Sequence, residues 1–330
     1  MSTASDGIRP VVGTMIGDPA GIGPEVAVKA LAGGEVHNEG IPVLVGSAAA
    51  VERALDFTGT KARLRVMGKF EKPSDDPTII DIIDTGALPV GVLPLGEDTE
   101  AAGHATAQWL DELDALARDG AFAATIMGPI STGSLKLAGK LDKVISPTPG
   151  ESYLVLLSGA LRVAHLTDHM SLRQVIDIIS SDLVAMAIAQ LHEAMQSWGI
   201  ARPRIAVAGL NPHAMGDEDR LAIAPGVEAA RARGIDVEGP IAPDSVFRHC
   251  IEGRYDMVLA MFHDQGHIAV KTWGFSGNSV IIMGPPYLHM SVAHGTAYDI
   301  VGTGKADAAM MLSAMRTCGR LASGRGFEQA

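Results

Sequence analysis

Histidines 169, 213 and 263 each stand directly behind a short hydrophobic run. Arg162–Leu166 leads into Thr167-Asp168-His169, Arg204–Leu210 into Asn211-Pro212-His213, and Asp256–Phe262 into His263-Asp264-Gln265-Gly266-His267. Runs this apolar read as strands buried on both faces. Neighbouring strands of a parallel sheet present their C-terminal ends along one edge, where open α/β sheets place ligands. Three imidazoles meeting there, with coordination positions left open, suit a catalytic divalent metal better than a closed structural one. Any one of them alone would read as a hydrogen-bonded loop residue; the repeated placement carries the metal reading. His165, His192 and His249 fall within expected strands or helices and read as structural, and His104 as a surface group. His267 and His289 lie near enough to the cluster to support it or to touch a substrate. Lys271 follows on the next apolar segment. After a further buried run, Val280–Met283, comes His294-Gly295-Thr296-Ala297-Tyr298-Asp299-Ile300-Val301-Gly302, a loop feeding a helix, with small residues where backbone must come close to something.

The elements that must position these groups alternate. Val11–Met15 reads as a strand, and Gly17-Asp18-Pro19-Ala20-Gly21-Ile22-Gly23-Pro24-Glu25 turns it into a helix. Pro24 suits the first helical position, and Glu25 faces the macrodipole from the first turn. This turn is either an anion-binding helix N-terminus or plain strand–turn–helix punctuation. Its glycine spacing is not G-x-G-x-x-G, so it does not support a Rossmann dinucleotide site. Ile41–Val45, Arg63–Met67 and Phe122–Met127 read as further strands, and residues 72–95, rich in Pro, Asp and Gly, as a surface crossing. Residues 101–118 read as a helix burying Trp109, Leu113 and Leu116. Ser171–Ile179 and Asp182–Trp198 are expected helices. Such alternation means a mostly parallel, doubly wound α/β architecture. A length of 330 residues suits two domains, with the crossover placed near residue 130.

Composition narrows the class. A formal net charge of −12 argues against nucleic acid or an anionic membrane as partner, since both need a basic face. Cys250 and Cys318 supply neither a disulfide framework nor a thiolate zinc site, which fits a reducing compartment. The amino-terminal MSTASDGIRP lacks the basic and apolar regions of a signal peptide. No run approaches the ~20 apolar residues of a membrane span. A cytoplasmic protein is expected.

The segments GDPAGIGPEV (17–26), TDHMSLRQV (167–175), GLNPHAMGDED (209–219), GPIAPDSVF (239–247), AMFHDQGHIAVK (260–271) and SVAHGTAYDIVGTGKAD (291–307) together resemble the 4-hydroxythreonine-4-phosphate dehydrogenases, in the right order over nearly the whole chain. The resemblance implies a two-domain α/β/α fold like that of the isocitrate and isopropylmalate dehydrogenases, with the active site in the interdomain cleft. Residues 1–130 plus 285–330 would form the dinucleotide side, and 131–284 the metal, substrate and dimerisation domain. It implies NAD, rather than NADP, held without a Rossmann domain by His294, Gly295, Thr296, Ala297 and Asp299. One divalent metal (Zn, Mg, Mn or Co) would sit on His169 and His213 of one subunit of a homodimer and His263 of the other. Lys271 matches the family's substrate lysine, and Asp244 and Asp264 are further active-site positions.

The chain also departs from the family. Gly150-Glu151-Ser152-Tyr153 replaces Gly-His-Thr-Glu, Thr132 replaces a lysine, and Val280 and His289 replace an asparagine and an arginine that hold the substrate phosphate. Neither valine nor histidine reproduces arginine's bidentate, charge-assisted pairing with phosphate. Similar losses, and the H-D-Q-G-H-I run at 263–268, occur in the terephthalate cis-dihydrodiol dehydrogenases. The resulting expectation is NAD- and metal-dependent oxidation, with decarboxylation, of a small hydroxy acid or diol carboxylate. Lys271 or an aspartate would take the proton, the lysine serving otherwise as a cationic clamp. The alternative is an authentic 4-hydroxythreonine-4-phosphate dehydrogenase. A non-catalytic small-molecule-binding homologue is disfavoured, because the histidines, Lys271 and the dinucleotide loop all survive together.

Overall fold

The computed structural model describes residues 9–88, 93–144, 146–274 and 277–328. The reading of the amino-terminus as free of a leader falls on residues 1–8, outside those described.

The chain divides into two compact units, Met1–Ile145 with Pro286–Ser323, and Ser146–Pro285 with Gly324–Ala330. The first contains β1 (Val11–Met15), α1 (Gly23–Ala32), β2 (Ile41–Gly46), α2 (Ala48–Thr58), β3 (Arg63–Val66), β4 (Ile79–Asp84), α3 (Glu100–Arg118), β5 (Ala124–Met127) and α4 (Thr132–Leu137). The second contains β6 (Tyr153–Ser158), β7 (Leu161–His165), α5 (Leu172–Ile178), α6 (Ser181–Ser197), β8 (Ile205–Ala208), α7 (Ala224–Ala232), β9 (Val237–Ile241), α8 (Val246–Ile251), β10 (Met257–Ala260), α9 (His263–Trp273) and β11 (Ser279–Met283). The chain then returns to the first unit with β12 (Leu288–Val292) and α10 (Ala309–Ala322). Ser and Thr side chains cap several helices, as Thr99 does by accepting from the Ala102 amide at the start of α3.

In the first unit the strand order is β3-β4-β2-β1-β5-β12, each strand parallel to its neighbours. Its central strands are apolar without alternation because both faces are covered; Val43, Leu44 and Val45 in β2 are all buried. The edge strand β3 carries Arg63 and Arg65 and is half exposed, which discourages pairing with another chain. In the second unit the order is β11-β6-β7-β10-β8-β9. Here β11 with β6 and β6 with β7 run antiparallel, whereas β7, β10, β8 and β9 run parallel.

Two expectations shift. Residues 72–95 are not only a surface crossing: Ile79–Asp84 inserts as β4 between β3 and β2, burying Ile80, Ile82 and Ile83. The first stretch of chain also stays in its unit past residue 130, as far as Ile145. The reason is α4, which lies so close on α3 that a Cβ at Gly103 would stand 2.0 Å from the Ser134 carbonyl oxygen. The last residues, by contrast, rejoin the second unit, where the Gly326 amide donates to the Trp198 carbonyl and Phe327 packs on the Trp198 ring. Among the described residues no single helix is long and apolar enough to cross a membrane.

Candidate active site

Parallel pairing of β7 with β10 and of β10 with β8 aligns their C-terminal ends on one edge of the second unit's sheet. Side chains tie these exits together. The Thr167 hydroxyl donates to the Met261 carbonyl at 2.8 Å, joining the ends of β7 and β10. Gln265 accepts from the Met261 amide at 2.7 Å and donates to the Gly209 carbonyl at 2.8 Å, joining β10 to β8. Sequence reasoning gave no role to Thr167 or Gln265, because their partners are on other strands.

On this edge Asp168, His169 and His263 each bring a ligand atom within 4.8 Å of the others. Asp168 is only 3% exposed, and neither carboxylate oxygen has a hydrogen-bond partner. Its Oδ1 lies 3.0 Å from His169 Nδ1, close but not aligned as a hydrogen bond. Two donors bound to one cation at about 2.0–2.2 Å stand roughly 3 Å apart, so the Asp168–His169 spacing fits a shared metal, toward which His263 would draw closer. Leaving a buried carboxylate uncompensated is costly, and a dication removes that cost. His263 opens α9, and its Nδ1 is paired with Asp264 Oδ1 at 2.7 Å, which leaves Nε2 for a ligand. That hydrogen bond holds the Asp264 carboxyl below its usual range. Asp264 thus orients His263.

The resemblance brings His263 from a second subunit, but here it meets His169 within one chain, ring centroids 4.8 Å apart. Adjacency of β7 and β10 is the cause. His213 is not among the gathered groups. It sits exposed on a loop folded around Asp219, a buried carboxylate that accepts from the amides of Leu210, Asn211 and Gly216. His213 and Ala214 are both left-handed there, with φ of 58° and 56°.

His267, one turn beyond His263, stacks on it at 3.6 Å, and His165 lies 4.7 Å from His267. His165, read as purely structural, is buried behind the site with Nδ1 against the Leu154 carbonyl oxygen and Nε2 unpartnered. Burial, then His267, pushes its pKa down to about 3; burial, then His263, pushes that of His267 down to about 4. Both rings are therefore neutral near pH 7. Lys271, two turns along α9 from His263, shares that face and is exposed. Asp244 lies on an exposed turn before α8, the Ser245 hydroxyl 3.4 Å away.

The positions matched to the substrate end are mixed. Glu151 is exposed, and Ser152 Oγ accepts from the Thr148 amide. Val280 is buried in β11 at 8% exposure and offers no polar group. Thr132, at the start of α4, is exposed in the first unit. His289, also there, is 4% exposed in β12, its Nδ1 2.7 Å from the Thr125 hydroxyl. Burial pushes its pKa down to about 4, so it is neutral and cannot act as a cationic clamp.

The loop matched to the dinucleotide is part of the first unit. Ile22 donates its amide to the Thr296 carbonyl at 3.0 Å, and Ala297 is left-handed with φ of 42°. His294 Nδ1 meets the Gly295 carbonyl oxygen, and its buried Nε2 is unpartnered. Gly295 is exposed, with open space where a Cβ would stand, and Asp299 is exposed beside it. An orphaned ring nitrogen and bare backbone fit a ligand laid along this loop. Tyr298 points the other way, its hydroxyl donating to Asp98 at 2.9 Å with Asp18 3.2 Å away.

Known proteins resemble the chain over nearly its whole length. The profile of the family described as "Pyridoxal phosphate biosynthetic protein PdxA" matches residues 38–318. A protein of Novosphingobium aromaticivorans, named "Putative 4-hydroxythreonine-4-phosphate dehydrogenase", is 92% identical over 330 residues, covering all of both chains. The crystal structure of a 4-hydroxythreonine-4-phosphate dehydrogenase from Burkholderia phymatum is 34% identical, with a TM-score of 0.83, covering 96% of this chain and 99% of that one. A terephthalate 1,2-cis-dihydrodiol dehydrogenase from Burkholderia xenovorans LB400 is 32% identical, with a TM-score of 0.67, covering 94% and 98%.

Proposed function

The chain belongs to the PdxA family, a family of dehydrogenases, and from that premise we propose that it oxidises a phosphorylated hydroxy acid of the 4-hydroxythreonine 4-phosphate type, using NAD and a divalent metal. The 92% identity to the Novosphingobium relative favours this substrate over the other hydroxy acid or diol carboxylate expected from the sequence. The observation that carries the chemistry is the buried, unpartnered Asp168 carboxylate beside His169 and the free Nε2 of His263. These three residues would hold the metal, with Asp264 fixing the tautomer of His263. When bound, the metal supplies Lewis-acid polarisation of the alcohol oxygen and of the ketone it becomes. Lys271 would take the alcohol proton, a bound dinucleotide would supply the hydride acceptor, and loss of the β-carboxylate as carbon dioxide would leave an enolate to which the protonated Lys271 can return the proton. The His294–Asp299 loop holds the dinucleotide. Exposed Leu172 and Ile176 on α5 and Ile268 and Trp273 on α9 support a homodimer covering this face, which sedimentation would check.

One observation favours a second reading. The four positions matched to phosphate recognition hold no cation: Thr132 and Val280 are uncharged, His289 is neutral and buried, and Glu151 is acidic. A hydroxy acid or diol carboxylate without a phosphate would need none. NADH formation with 4-hydroxythreonine 4-phosphate, measured beside its dephosphorylated form and a cyclic diol carboxylate, separates the two. Turnover of the phosphorylated compound alone supports the first reading; turnover of the others alone replaces it with the second.

A further inference from the structure

Glu25 in the first turn of α1 is 1% exposed, yet it is a carboxylate, so its compensation has to be local. It comes from the far side of the first unit's sequence. The Gly302 amide donates to Oε1 at 2.6 Å and the Gly304 amide to Oε2 at 3.2 Å. Both glycines are left-handed, with φ of 77° and 66°, which turns their N–H groups toward a common centre. Successive amides arranged this way form a concavity that binds anions such as phosphate. Here the concavity is filled by the protein's own side chain. One turn further along α1, Lys29 Nζ donates to the carbonyls of Gly304 and Ala306 at 2.6 and 2.7 Å. The helix therefore meets the loop's amides with an anion and its carbonyls with a cation. A side chain at Gly304 would stand 2.4 Å from the Phe57 carbonyl oxygen, so the loop has no slack there. At its other end a Cβ on Gly21 would lie 2.8 Å from Thr296, which fixes that contact too.

We propose that Glu25 is a positioning residue for dinucleotide binding: by filling the Gly302–Gly304 concavity it holds the His294–Asp299 segment in its binding conformation before the cofactor arrives. This rests on the reading that His294–Asp299 holds NAD. Pre-ordering a loop removes an entropic cost that binding would otherwise meet. It also means that the amides of Gly302 and Gly304 are spent inside the fold. The pyrophosphate must be held by other groups.

The test compares wild type with Glu25→Gln, which keeps the shape but turns an amide NH2 toward a backbone N–H. Lys29→Met acts on the same loop through its carbonyls and serves if the first variant does not fold. Three quantities are measured: the NAD dissociation constant by calorimetry, amide hydrogen exchange in residues 294–306, and KM for NAD against kcat. A hydrogen bond to a charged group is worth about ten-fold or more in an equilibrium, so exchange should quicken and NAD bind more weakly by about that factor. The KM for NAD should rise in step while kcat at saturation changes little, and Mn2+ affinity, which belongs to the second unit, should hold. Faster exchange with unchanged NAD affinity would overturn the proposal, and so would unchanged exchange. Wild-type protein that binds no NAD would sink the cofactor reading itself, and this inference with it.

Discussion

Because His289 is buried with its imidazole neutral, the first unit should lose stability in mild acid, and a single substitution should remove a calculable part of that loss. Burial pushes the folded-state pKa down to about 4, against an ordinary value of 6.5. Between those values the unfolded chain takes up a proton that the folded chain refuses, so stability rises with pH through the window. The contribution is fully present above 6.5, falls as pH drops toward 4, and is gone below it. At 1.36 kcal/mol per unit, this residue withdraws about 2 kcal/mol by pH 5 and about 3 kcal/mol by pH 4. His289→Gln keeps a partner for the Thr125 hydroxyl but cannot titrate. Urea unfolding at pH 8 and pH 5 should show the wild type losing about 2 kcal/mol more than the variant across that interval. Buried Trp109 in α3 reports the first unit by fluorescence once Trp198 and Trp273 of the second unit are replaced by Phe in both proteins. His165 and His267 titrate in the same direction but are common to both proteins, so the difference isolates His289. Parallel losses in the two proteins would refute the burial argument.

Three other outcomes are expected. Asp168→Asn should weaken Mn2+ or Co2+ binding by at least about ten-fold in calorimetry while leaving NAD affinity intact; an unaltered metal isotherm would remove Asp168 from the ligand set. Asp264→Asn should cost about 10–100-fold in metal affinity, because His263 loses its orienting partner; the visible spectrum of the cobalt-loaded variant should shift with it. Gly266→Ala should lower the melting temperature markedly, since the new Cβ would lie 2.3 Å from His165 Nε2 and force α9 off β7. Overpacking of that kind costs about 1–3 kcal/mol, and an unmoved melting curve would mean the helix has room to slide.

The strand-end placement of His169 and His263 was legible because parallel strands must share an edge, and the apolar runs before them are unmistakable. The part played by Asp168 was not, although it stood beside His169 in the same motif. Sequence shows a carboxylate but not that its oxygens are buried and unpartnered. His213 followed the same pattern as its neighbours, yet it stands on a turn folded around Asp219 and does not join the group gathered within 4.8 Å. At β4 the proline- and aspartate-rich flanks hid a short isoleucine run whose burial depends on its insertion between β3 and β2. Whether His289 faces a ligand or the core depends on how β12 registers on β5, where it pairs with Thr125. Glu25 read as a helix-dipole residue from its position alone; its partners lie near the other end of the sequence, where no local pattern could reveal them.

The paired left-handed residues at 213 and 214 carry an evolutionary consequence. Neither is glycine, and each such conformation costs an L-residue roughly 1–2 kcal/mol. Ala214→Gly is thus an easy way to make this protein hardier. The same change would free the backbone next to His213, so a lineage that took it would trade a fixed imidazole for heat tolerance.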